Sequence, residues 1–146
     1  SPSAIIARRA RLRGSPGDRA ALQELGFELA TRCSDSFAEE LLCSQDWCAG
    51  EGLILDGVRG LALHAALESK VTPSRYWLIY LSAPYQTRAR RARRRDSLKM
   101  EELAAIEQHP IEAEILQLRN HADLLLNTML GPAELVGRVL ELFECD

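Results

Sequence analysis

The sequence predicts an α/β domain, a three-layer arrangement with helices on both faces of a parallel sheet. Three runs carry that expectation. Leu53-Ile54-Leu55-Asp56, Tyr76-Trp77-Leu78-Ile79-Tyr80-Leu81 and Leu124-Leu125-Leu126 are short and apolar, as strands buried on both faces are. Helical patterns stand before, between and after them, and parallel strands need such crossovers. The 146 residues suit one domain, 1–146, large enough to bury a core. A hydrophobic share of 47% and a charged share of 27% give an ordinary globular balance.

Taken in order, Ser3 to Arg13 carries a helical pattern on Ile5, Ile6 and Leu12, closed by the turn signals Gly14-Ser15-Pro16-Gly17. Asp18 is placed to cap a second helix with the stripe Ala21, Leu22, Leu25, Leu29. Ser34 or Asp35 opens a third, with Phe37, Leu41 and Leu42 inward, and Gly50-Glu51-Gly52 ends it and leads into the first strand. Leu61 to Ser69 reads as a helix and Pro73-Ser74 as a turn. After the second strand, Pro84 starts an arginine-bearing helix at a position that tolerates proline. Glu101 to Gln108 and Ile111 to Arg119 are helical and broken at Pro110. The last strand is followed by a helix from Pro132 to Phe143.

Charge is unevenly spread although the net value is only −3. Arg8, Arg9, Arg11, Arg13 and Arg19 crowd the start, and Arg88, Arg90, Arg91, Arg93, Arg94 and Arg95 fall within eight positions. From Glu101 onward there are ten acidic residues against Arg119 and Arg138. That asymmetry points to a local anion site on an acidic body rather than a whole-protein nucleic-acid binder. Six arginines nonetheless exceed what a lid needs and leave nucleic-acid backbone contact open, against the repulsion of the acidic C-terminal half. The basic helix also has a plainer reading, a solvated face paired with Glu101-Glu102. No aromatic interleaves its arginines.

Cys33, Cys43, Cys48 and Cys145 match no common zinc spacing, so they read as reduced, partly buried thiols of a cytoplasmic protein. No run reaches membrane-spanning length, and no signal peptide is evident. His64, His109 and His121 are dispersed and read as surface or packing residues; Trp47 and Trp77 read as core. No Ser-His-Asp or Cys-His arrangement is visible.

At three places the chain resembles a P-loop nucleotide kinase, near the dephospho-coenzyme A kinase and deoxynucleoside monophosphate kinase groups. Leu53 to Arg59 is similar to their apolar strand followed by Asp-Gly-(aliphatic)-Arg. Tyr76 to Leu81, then Ala83-Pro84 and the arginine helix, resembles the strand and lid that follow. Ala122-Asp123 with Asn127, ahead of Gly131, resembles the final strand and the loop on adenine. The resemblance makes 1–50 the acceptor-side helices, 51–83 core, 84–120 the lid and its helices, and 121–146 the last strand and helix. No G-x-x-x-x-G-K-[ST] occurs, so the strand, P-loop and helix with which that family begins are absent from these residues. In such a fold the missing strand is central, between Leu53–Asp56 and Tyr76–Leu81. Its place is expected to be filled from outside this sequence, or else those two strands pair directly.

The resemblance implies roles. Asp56, at the carboxyl end of a strand, serves Mg2+ or the acceptor, and Arg59 and Arg13 bind the acceptor phosphate. Arg88, Arg91 and Arg95 share one helix face and clamp the transferring phosphates. Asn127, Thr128 and Gly131 form the adenine loop. ATP and Mg2+ are the implied cofactors. The expected function is ATP-dependent phosphoryl transfer to a nucleoside monophosphate or dephospho-coenzyme A type of acceptor, by a chain doubtful as a catalyst alone. The alternative is a kinase-derived interaction module that binds a protein partner through an exposed sheet edge or its acidic C-terminal helices, or associates with itself through that edge.

Overall fold

The computed structural model describes residues 1–15, 17–96 and 100–144, and for 95, 96 and 100–103 only the backbone. The chain divides into two compact units, Ser1–Tyr76 and Trp77–Asp146.

Four helices build the first unit: α1 (Pro2–Leu12), α2 (Arg19–Thr31), α3 (Ser34–Cys43) and α4 (Leu61–Val71). Gly14, at φ +63, turns the chain out of α1. Asp18 then caps α2, its Oδ1 accepting from the N–H of Ala21 at 2.8 Å. Leu25 and Leu29 are buried on α2, and Phe37, Leu41 and Leu42 on α3, as the periodicity predicts. Leu63, Ala66, Leu67 and Val71 close the core from α4. Phe37, Leu29, Leu41, Leu63 and Leu67 are at most 1% exposed. Burying such side chains is worth about 1.5–3 kcal/mol each, so this cluster carries the unit. Gly60, at φ +91, lets the chain pass against Ala30, where an added Cβ would lie 3.4 Å from the alanine methyl.

The second unit holds β1 (Ile79–Ser82), α5 (Tyr85–Asp96), α6 (Met100–Glu107), α7 (Pro110–Leu118), a single 3-10 turn at Arg119–His121, β2 (Leu124–Asn127) and α8 (Pro132–Glu144). β1 and β2 are parallel, in the register Ile79–Leu124 to Ser82–Asn127. Asp123 anchors their start, its Oδ2 accepting from the N–H of Leu78 at 2.7 Å. Pro110 breaks the helical run as expected, and His109 caps α7 by accepting from the N–H of Ile111.

The three-layer sheet is not formed. Helices make up most of the described residues and the sheet has two strands among them, so this is not a parallel-sheet P-loop fold. The discrepancy lies at Leu53–Arg59. There the backbone is irregular and pairs with no strand among the described residues. Leu53, Leu55 and Val58 turn half inward, whereas Ile54 is 94% exposed. Two physical reasons account for this. A strand forms only against a partner that satisfies its N–H and C=O groups, and Gly57, at φ +86, breaks the extended course. Direct pairing of this run with Tyr76–Leu81 is likewise not seen, since the partner of β1 is β2. Nor are the two strands buried on both faces, because Leu81 and Leu125 are exposed.

Cys43 and Cys48 are exposed and Cys33 is half-buried, so the thiols are more open than expected. His64 is buried, with Nδ1 3.2 Å from the Tyr76 hydroxyl. Trp47 and Trp77 are half-buried, and Trp77 meets Phe143 edge to face at 6.4 Å. Pro16 and Cys145 lie outside the described residues, as do the side chains of Glu101 and Glu102.

Candidate functional site

The predicted site residues fall into two groups, one in each unit. In the first, Arg13 follows α1 and its guanidinium bonds the Glu28 carboxylate of α2 at 3.0 and 3.3 Å. Asp56 and Arg59 are exposed on the irregular run after Leu53. Sequence reasoning missed the Glu40 carboxylate of α3. It accepts from both Arg8 and Arg9 of α1, with Arg9 Nε at 2.8 Å. Burial pushes the Glu40 carboxyl up. Hydrogen bonds from Arg9 and Arg8, and their charge, outweigh that and hold it below its ordinary value. Part of the basic cluster at the start of the chain is therefore committed to fastening α1 onto α3.

In the second unit the register brings Ser82 and Asn127 together at the carboxyl ends of β1 and β2. α5 begins three residues beyond the one and α8 five beyond the other, at Tyr85 and Pro132. Both helices thus present their amino ends beside the loops that leave the sheet, where open α/β sheets place ligands. Thr128 ties these pieces together. Its N–H and Oγ1 both donate to the Ser82 carbonyl, at 2.8 and 3.0 Å. Arg91 of α5 then donates to Thr128 twice, Nη1 to Oγ1 at 2.9 Å and Nη2 to the carbonyl oxygen at 3.0 Å. The Asn127 Oδ1 accepts from the N–H of Met129 at 3.0 Å, folding the loop back on itself. Gly131 is exposed just before α8.

Of the predicted clamp, Arg91 is therefore joined to the predicted adenine loop. Arg88 instead pairs with Glu107 of α6 at 3.3 Å, with its guanidinium 6.0 Å from the centre of the Tyr85 ring. Arg95 lies on α5, and its side chain is outside the described residues. Ser82 and Thr87 were not foreseen. Thr87, in the first turn of α5, donates to the Met129 sulfur at 3.6 Å. Hydroxyl residues at a strand's end and a helix's first turn were the available signal.

This arrangement can hold anions: helix amino ends and guanidinium N–H donors stand beside a loop fixed by hydrogen bonds. Among the described residues no three His, Cys, Asp or Glu side chains gather to hold a metal ion. Asp56 alone fits Mg2+ only as that ion is often bound, by one carboxylate with the rest of its shell from phosphates and water. No helix among the described residues is long and apolar enough to cross a membrane. No protein-family model, curated protein or solved structure matches the chain.

Proposed function

We propose that the carboxyl end of the β1–β2 pair binds the phosphates of a nucleotide. The chain on this reading serves ATP-dependent phosphoryl transfer to a small phosphorylated acceptor, with the phosphate cradle supplied by residues other than these 146. The observation that carries the reading is the double hydrogen bond from Arg91 to Thr128, which fixes a cationic helix against the loop leaving β2. Arg91 spends two of its five N–H donors there and keeps the others for an anion. Arg88 belongs to the phosphate side of the proposal, and Asp56, Arg59 and Arg13 of the first unit are proposed separately as residues for an acceptor phosphate. Arg95 joins the phosphate side through its place in the sequence.

Calorimetric titration of the chain with ATP–Mg2+ tests this. Saturable binding that weakens at least about tenfold in Arg91→Gln, an interaction energy of about 1.4 kcal/mol, is the expected result. A folded chain that binds no nucleotide, or binds it equally well without Arg91, ends the reading.

A second reading, an interaction module without catalysis, is favoured by one specific observation. Val136, Leu140 and Phe143 stand at helical spacing on α8 and are each more than half exposed. Concentration-dependent sedimentation of the wild type, abolished by Leu140→Glu, would support self-association through this face. A monomer at all concentrations would count against it.

A further inference from the structure

The arginines of α5 separate into two sets. Arg88 and Arg91 are held by Glu107 and Thr128. Arg90, Arg93 and Arg94 are exposed, and none has a hydrogen bond or ion pair among the described residues. At 3.6 residues per turn these three occupy roughly 100° of arc, opposite half-buried Ala92 and flanked on the Arg93 side by buried Ala89. We infer that this outward face is a docking surface for the phosphate backbone of a nucleic-acid duplex, read without regard to base sequence.

Charge complementarity selects a polyanion. Three like charges within two turns of one helix repel one another, and an anion laid along them relieves that repulsion. The rise of about 6 Å from Arg90 to Arg94 covers about two phosphates of a strand that carries one every ~3.4 Å. All six cations of α5 are arginine and none is lysine, and the planar guanidinium suits bidentate contact with phosphate. A lipid surface fits less well. A helix that lies in a bilayer interface needs a broad apolar face, and α5 offers Tyr85, Ala89 and Ala92. An unstacked single strand also fits less well, because no aromatic side chain interleaves the outward arginines to stack on bases. The net charge of −3 is no obstacle to a local contact, since exposed charges are screened beyond about 8–10 Å at ordinary salt. The inference does not depend on nucleotide binding at the sheet end, because it uses different side chains.

Fluorescence anisotropy of the whole chain with a labelled mixed-sequence duplex, over a salt series, is the test. Glutamine keeps helix propensity while removing charge, so Arg90→Gln/Arg93→Gln/Arg94→Gln should fold normally by circular dichroism. The triple variant is expected to bind at least about tenfold more weakly at low salt. Its slope of log K against log salt should be shallower by about 1.8, from the loss of two phosphate contacts. Arg119→Gln, which removes an exposed arginine outside α5, should change the slope little. No duplex binding at low salt overturns the inference, as does an unchanged slope in the triple variant. Equal displacement of the duplex by polyglutamate also overturns it and points to an acidic protein. Binding to anionic vesicles without binding to duplex overturns it in favour of a lipid surface.

Discussion

The first unit closes a helical core around Phe37, Leu41 and Leu67, whereas the second leaves much of its apolar surface open. Its buried apolar residues among those described are Leu78, Ala89, Ile111, Leu118 and Leu126. Leu81, Leu116, Leu125, Met129, Val136, Leu140 and Phe143 are all more than half exposed. In α8 no described residue is fully buried. Short helices can bury their stripes against one another, as α1 to α4 do. A two-stranded sheet is marginal without a third strand or a well-packed helix. The candidate ligand site and the outward arginines both lie in the less consolidated unit, as is common for elements that bind and move.

The sharpest way to break the contrast is a pair of truncations. Phe37→Ala should cost about 3–5 kcal/mol in urea unfolding, and Leu140→Ala no more than about 0.5 kcal/mol. Equal costs would mean that Leu140 of α8 is packed in solution as tightly as Phe37. Next in size, Leu126→Ala removes a side chain 2% exposed in β2 and should cost about 2–3 kcal/mol. Hydrogen exchange checks that value locally, because amides of β1 and β2 should lose protection. In the wild type the same experiment should show α3 and α4 exchanging more slowly than the sheet.

Glu40 sharpens the comparison on the other side. Its folded-state pKa is lowered, so its contribution is fully present above the ordinary unfolded value near 4.3. That contribution is lost as pH falls through the lower folded value. Glu40→Gln should cost about 1–2 kcal/mol near neutral pH and flatten the acid limb of the stability curve. A variant whose stability falls as steeply in acid as the wild type would show that another carboxylate controls that limb. A modest effect is expected at Thr128→Val, about 1 kcal/mol for the lost hydroxyl bonds to Ser82 and Arg91. Its value lies in ATP titration, where loss of affinity would assign the loop to the ligand.

Several elements were legible because their causes are local. Asp18 lies three residues before the N–H that it caps, and Pro110 interrupts the helix at its own position. The stripe on α3 recurs within one turn. The paired strands also emerged near the expected places, at Ile79–Ser82 and Leu124–Asn127. Asp56 and Arg59 illustrate what was not legible. Leu53–Arg59 has the composition of a strand, but strand formation depends on a partner that the run itself does not encode.

By itself, then, the sequence determined where most helices begin, which faces of α2 and α3 turn inward, and that the runs around Ile79–Ser82 and Leu124–Asn127 are extended. Only the tertiary structure decided that Leu53–Asp56 pairs with nothing described and that β1 lies against β2. It also decided that Arg8 and Arg9 fasten Glu40, and that Arg88 and Arg91 are held while Arg90, Arg93 and Arg94 face solvent. The physical reason is range. Caps and helical stripes are settled by groups within about four residues, whereas strand pairing and these charge partnerships join groups nineteen to forty-five residues apart, whose meeting depends on how the whole unit packs.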